Sequence, residues 1–592
     1  MTTSLQNQKP SNPFQPRFGP PVGSALSCIL ERQGCFAEDW SKVYIKKKCD
    51  YSLIRNVRFY GQVSIGCLSR NADKPEGIFN AVIRNCEIGD GCYISNVRDA
   101  LDGCIIHDNV SIVDVGRIDY ESPEAPCGVG TAVGVLDETS SRPVYIYPGL
   151  DAQMAALMVW KPRWTDDVLL PLLQEEWAAM PSFAYIGEGA KIRGVNYMHN
   201  VGVGANVTIE GALRLVNGSI VNNSPTSRPF TYVGAGVDAE NFIIEDGKVM
   251  SGVLLRNCYV GQGTVIDKGF TAHDSLFFAN CGMENGEACA LFSGPYTVSM
   301  HKSSLLIGTM TSFMNAGSGT NSSNHKYKLG PVHWGLMERG LKTASGSYVM
   351  WGGRLGAFSL LMGTHKNHPD TSKFPFSYLF ADHKGHTVVV PGVMLRSCGL
   401  ARDAIKWPAR DNRKHPKLPI NDRIRFDVLN PVTIGAILEG LEVIETLLAD
   451  GPTPEGYYLY NSLRFSRNSL ERGRELYKIA VLKYIFDAPV NMPPAEDRPA
   501  EWIDLAGLPI AKELVDRICR AETLDEMRAL LDEAYENYYD LENEWKASLM
   551  TPKWRALLPE AGEAIERLDK MIESDRAATL DEMARHAAFL RD

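Results

Sequence analysis

The 592-residue chain has no run of about twenty apolar residues, so nothing in it is expected to cross a bilayer as a helix. Its opening, MTTSLQNQKPSNPFQPRFGPPVGS, lacks the apolar core of a secretory signal and is rich in proline and polar side chains. A disordered tail over 1–25 is expected there. Disulfide chemistry is also short of material. The 13 cysteines are scattered, odd in number and grouped in no small framework, so reduced thiols and a cytoplasmic location are expected. Positive charge is not in excess either: a formal net charge of −10 gives no reason to expect nucleic acid as a partner. No membrane partner is implied.

Glycine is plentiful but unevenly placed. Of 52 glycines, 45 precede Pro431, and residues 431–592 carry 19 Lys+Arg against 32 Asp+Glu. The composition divides a glycine-rich body, 26–430, from an acidic helical domain, 431–592. In the latter, Ile434, Ile437, Leu438, Leu441, Ile444 and Leu448 recur at three and four, with Gly451 as a stop. Thr523-Leu524-Asp525-Glu526 has the capping-box spacing, and Thr579-Leu580-Asp581-Glu582 repeats it. A second helical patch, 149–181, interrupts the body as an insertion.

Within the body the period is six. In "YIGEGAKIRGVNYMHNVGVGANVTIEG", Ile186 and Ile192 are six apart, as are Val203 and Ile209. Ile88 to Ile94, Val260 to Ile266 and Val389 to Leu395 repeat the step. A helix gives three and four, and an exposed strand gives two. Six fits a short strand followed by a sharp corner, with the aliphatic residue inward and glycine at the corner. Three such sides close a triangular coil, and stacked coils bury an aliphatic column that one coil alone could not. Cys86 and Cys92 are six apart and Cys104 twelve further on, as small residues stacked in successive coils would be.

These hexads resemble the hexapeptide-repeat proteins, which implies a left-handed parallel β-helix; a longer-coiled right-handed helix is the rival. The stretch from "SGPYTVSMHKSSLLIG" through "HPDTSKFPFSYL" resembles a bacterial family of β-helix proteins known only as a domain of unknown function, over most of 26–450. That likeness carries over His325, Lys328, His333, Arg339, Arg354, His365, His368 and Asp370 without roles. Hexapeptide-repeat relatives are usually trimers, so a homo-oligomer, trimer favoured, is implied. Sugar nucleotidyltransferases of this kind place a nucleotide-binding domain first. Here the hexads begin by about residue 54 with no glycine-rich phosphate loop before them, which argues against nucleotidyl transfer by this chain alone.

Candidate chemistry concentrates in 301–425. Eight of the 12 histidines lie in 301–415. His365 with His368, and His383 with His386, form two close pairs suited to zinc or another divalent metal. Each pair is eighteen residues from the other, one coil if the hexads hold. Acid–base catalysis is the alternative, with His325 first and His333 and His365 next. The acyltransferase likeness implies such a histidine in a cleft, with acyl-CoA as donor. From Arg396 to Arg425 nine Lys+Arg stand against three Asp. With Lys328, Arg339, Arg354 and Asp370, Arg410 and Arg413 are candidates to hold a phosphorylated sugar or other small ligand. Equally, this segment can pair with the acidic tail. At least four of His325, His333, Arg354, His365, His368 and Asp370 are expected in one pocket.

Three functions follow: acyl transfer to a sugar or nucleotide-sugar with a histidine base, a non-catalytic ligand-binding or scaffold β-helix, and a polysaccharide-acting β-helix enzyme. The last expects clustered carboxylates on one face of the coil, whereas the acidic residues cluster in the tail.

Overall fold

In the computed structural model, residues 19–70, 73–137, 142–224, 230–323, 333–413, 418–486 and 501–589 are described. Their main feature is a parallel β-solenoid that includes a 28-stranded sheet. Its core column follows the sequence spacing. Ile94 lies beside Ile112, Ile112 beside Ile192, and Ile192 beside Ile209. The column continues through Val233, Val249, Ile266 and Met283. All eight are fully buried. Each such side chain contributes about 1.5–3 kcal/mol by leaving water, so the stacked column holds neighbouring coils together. Where no excursion intervenes, the step between partners is sixteen to eighteen residues, as in Ile94 to Ile112 and Val233 to Val249.

Ile186, Ile192, Val203, Ile209, Val260 and Ile266 are each at most 1% exposed, so the inward direction expected of them holds. Cys86, Cys92 and Cys104 are buried too, and all thirteen cysteines are free thiols. No helix among the described residues is long and apolar enough to cross a membrane.

The corners are built largely by asparagine. Asn56, Asn80, Asn96 and Asp114 have φ between 52° and 57°. Their side chains form a ladder across coils: Asn56 to Asn80 at 2.8 Å, Asn80 to Asn96 at 3.0 Å, Asn96 to Asp114 at 2.9 Å. A second ladder runs Asn217–Asn241–Asn257–Asp274 at 2.7, 2.9 and 2.8 Å. Asparagine tolerates this left-handed backbone better than most residues, and its amide both donates and accepts along the column.

Between Asp119 and Ile186 the chain leaves the coil. It forms an antiparallel hairpin, Thr131–Val135 with Arg142–Ile146, and helices that include Ala152–Trp160 and Leu170–Ala179. Asp151 caps the first of these, accepting Met154 N at 2.6 Å. Ala152 through Val159 are all buried, because later parts of the chain cover the helix. Gln153 donates to the carbonyls of Arg423, Leu505 and Ala506. Asp422 accepts from Ala152 N and Ala279 N, each at 2.7 Å.

The coil closes at Tyr378–Ala381. The chain then turns back as Thr387–Val390, antiparallel, with Ala381 opposite Thr387. Val389 to Leu395 is therefore not a coil side, since Val389 belongs to a returning strand. Helices Pro431–Asp450 and Arg467–Phe486 pack onto this end: Tyr477 donates to Pro375 O at 2.6 Å. Asn430 caps the first helix through a reciprocal box with Thr433. Thr523 caps Leu524–Glu536, accepting Glu526 N at 3.2 Å. Thr579 caps nothing. It lies inside helix Pro552–Phe589 and donates to Asp575 O at 2.8 Å, so the capping pattern there is overridden by a helix that began earlier.

Candidate functional site

The strand Arg117–Asp119 has its middle residue buried and its flanks facing out. Tyr197–His199 lies beside it on the next coil, with Asp119 opposite His199. Strand alternation puts both on the outer face, and His199 Nδ1 comes within 2.7 Å of Asp119 Oδ2. A carboxylate accepts, so Nδ1 carries the proton. The other Asp119 oxygen takes Arg117 Nε at 3.0 Å. Arg117 also reaches Asp99 at 3.4 Å and Asp102 at 3.6 Å. Burial opposes the charge on Arg117, but the Asp119 and Asp99 carboxylates outweigh it and hold the guanidinium above its ordinary range.

In the neutral ring with that tautomer, His199 Nε2 is the acceptor. Asn200 Nδ2 donates to it at 3.1 Å, while Asn200 Oδ1 accepts Glu121 N at 2.8 Å. Asn200 stands at a left-handed corner, φ 52°. Tyr197 stacks on the imidazole, 7° from parallel with centroids 6.2 Å apart.

A cleft of about 530 Å³ opens beside this group. One wall is the coil; the other is the start of the excursion, Tyr120 to Pro123, fixed by the Tyr120 hydroxyl on Val201 O at 2.5 Å. Its ionisable lining includes Glu87, Asp102, Asp119 and Glu121 with Arg117 and His199. A histidine oriented by a carboxylate, with its other nitrogen an acceptor, is the arrangement of a general base.

None of the described residues chosen from sequence lines this cleft. His325 and Lys328 lie outside the described residues. His333 is half-buried, just before strand Gly335–Met337. His365 is fully buried, with Nε2 3.1 Å from Met362 O and Nδ1 2.8 Å from Thr387 Oγ1. Burial pushes its pKa down to about 4. His368 Nδ1 bonds the Trp351 carbonyl. His383 is exposed in the turn after Ala381, and His386 Nδ1 lies 3.3 Å from Asp382. Because the chain reverses at that turn, the eighteen-residue step does not stack the two pairs on successive coils. Among the described residues no group of three or more His, Cys, Asp or Glu side chains is arranged to hold a metal ion.

Arg339, Arg354 and Arg413 are engaged elsewhere. Arg339 is buried, donates to Gly507 O at 3.1 Å and to the Arg425 carbonyl, and lies over the Phe313 ring at 4.2 Å. Arg413 is also buried, with two 2.9 Å bonds to Asp411 and one of 3.0 Å to Asp422 O. Arg423 joins Asp151 at 3.0 Å to Asp532 at 2.6 Å, so part of the basic segment does pair with the acidic tail. Arg410 is exposed beyond helix Cys398–Ala409. Arg354 and Asp370 are brought into register on adjacent coils, and Arg354 Nε bonds Glu338 at 2.6 Å. Asp370 is occupied with Ser372.

A family model described as "Domain of unknown function (DUF4954)" matches residues 26–448. The chain belongs to this family. An uncharacterised protein of Treponema pallidum (strain Nichols) is 24% identical over 468 residues, covering 73% of this chain and 62% of that relative. The chain therefore spans less than two thirds of the relative's length. The DUF4954 region contains the whole cleft, from Asn85 to His199.

His199 was missed because it stands eighty residues from Asp119. Only the resumed hexads after the excursion, which place Tyr197–His199 one coil beyond Arg117–Asp119, could have paired them.

Proposed function

We propose that this chain is a group-transfer protein whose general base is His199, oriented by Asp119. Acyl transfer to a sugar hydroxyl or amine is the reaction class, and the coil is taken to be a left-handed hexapeptide-repeat helix in a homo-oligomer. One observation carries this: the carboxylate–imidazole pair opens into a cleft. The base is thus moved from His325, His333 or His365 to His199. An acceptor hydroxyl or amine would displace the Asn200 amide from Nε2 and give up its proton there. As the acceptor oxygen or nitrogen bonds the acyl carbon and the thioester C–S bond breaks, Asp119 would steady the imidazolium, whose Nε2 proton would pass to the departing CoA thiolate; the bond from Arg117 fixes the angle of that carboxylate. With Arg339 and Arg413 buried in internal pairs, a phosphorylated ligand loses two of the candidate arginines.

A scaffold reading also has support. Arg214, Asp238, Arg256 and Glu240 make a similar charge ladder further along the coil, at 2.8–3.9 Å, with no histidine in it. Such ladders hold coil faces together without chemistry.

Thiol release from acyl-CoA with amino-sugar or sugar acceptors tests the choice. Wild type should turn over. His199→Gln and Asp119→Asn should each lose about 10²–10⁴-fold, with Tm unchanged within a few degrees. A wild-type rate in His199→Gln would overturn the assignment, and no turnover by wild type with any pairing would favour the scaffold.

A further inference from the structure

The cleft is one part of a longer polar face. Tyr60, Arg84, Asp102, Asp119 and His199 occupy one column, in register on successive coils. At about 4.8 Å per strand the column runs about 19 Å from Tyr60 to His199, the reach of about four linked pyranose rings. At its far end Phe36 is 51% exposed, with its ring 6.2 Å from that of Tyr60. Arg84 lies over Tyr60 at 5.4 Å and pairs with Asp102 at 3.3 Å. At the near end Tyr197 stacks on His199. Aromatic rings thus bracket a row of planar side chains able to donate and accept.

The sign of the charge narrows the ligand. Four carboxylates line the cleft against one guanidinium. An anion entering it would meet like charge, whereas a protonated amine finds complementary groups and an exposed ring face at Phe36.

Resting on the assignment of His199 as the working group, we propose that the ligand is an extended, amine-bearing glycan chain laid along this face from Phe36 to His199. The sugar hydroxyls meet the planar side chains, the amines meet the cleft carboxylates, and the distal ring packs on Phe36. A nucleotide-sugar or other anionic acceptor laid in the cleft is disfavoured by the same charges, whereas an acyl-CoA donor needs to bring only its uncharged thioester to His199.

Calorimetric titration at mildly acidic pH, where the amines are protonated, tests it with three probes: a β-1,4-linked glucosamine tetramer, glucosamine itself, and a galacturonate tetramer. The glucosamine tetramer should bind at least about tenfold more tightly than the monomer, a difference of about 1.4 kcal/mol, and the galacturonate tetramer should not bind. Phe36→Ala, at an exposed position, should weaken the glucosamine tetramer about fivefold and leave the monomer unchanged. If monomer and tetramer bind alike, or Phe36→Ala has no effect, the extended chain is wrong and the cleft assignment stands. A preference for galacturonate overturns the charge argument. If no probe binds and His199→Gln leaves acyl transfer intact, the cleft assignment falls as well.

Discussion

His365 is sealed in the coil with both ring nitrogens facing protein groups, whereas His199 keeps 28% of its side chain exposed beside a cleft. Proximity in sequence to other histidines suggested the first; a partner on the next coil distinguishes the second. His365 makes a measurable prediction of its own. Its pKa falls from 6.5 to about 4 on folding, chiefly through burial. Between these values the unfolded chain binds a proton that the folded chain does not. Its contribution is therefore fully present above about 6.5 and lost as pH falls toward about 4, by about 3 kcal/mol in all. Tm measured against pH for wild type and His365→Asn should converge as pH drops through this window. Parallel curves would show that the imidazole titrates normally in the fold.

At the scale of the coil, the aliphatic spacing was legible because the same inward position recurs on successive coils, as at Ile94, Ile112, Ile192 and Ile209. The corners were harder to read. Glycine marks some of them, but Asn217, Asn241 and Asn257 look like ordinary polar residues until the coils stack and their amides meet. The reversal at Asp382–His386 was hidden too, because Val389 and Leu395 keep the hexad spacing after the solenoid has ended. Asn241→Ala tests the ladder. It removes two side-chain hydrogen bonds and leaves at φ 54° an alanine, which lacks asparagine's tolerance of the left-handed region, at a cost of about 2–4 kcal/mol. Asn241→Gly loses the bonds but keeps the backbone at ease, and should cost less. Urea midpoints compare the two. Equal losses would remove the left-handed corner from the explanation.

Across the whole molecule, the excursion between Asp119 and Ile186 is what makes the candidate site. It leaves at one wall of the cleft, is buried under the 418–425 segment and the hairpin Trp502–Leu505/Leu508–Ala511, and returns the chain in time to set His199 opposite Asp119. Sequence spacing gave the coil and its axis. It did not give the site, because that pairing depends on the register with which a 66-residue detour rejoins the coil. The most direct test is nitrogen NMR of histidine-labelled protein, with the His199 signal identified by its loss in His199→Gln. The geometry requires the Nδ1–H tautomer, donating to Asp119 while Nε2 accepts from Asn200, and the proposed ligand adds a change in the Nε2 shift with the glucosamine tetramer. A His199 found as the Nε2–H tautomer and unmoved by that ligand would contradict its role as the base.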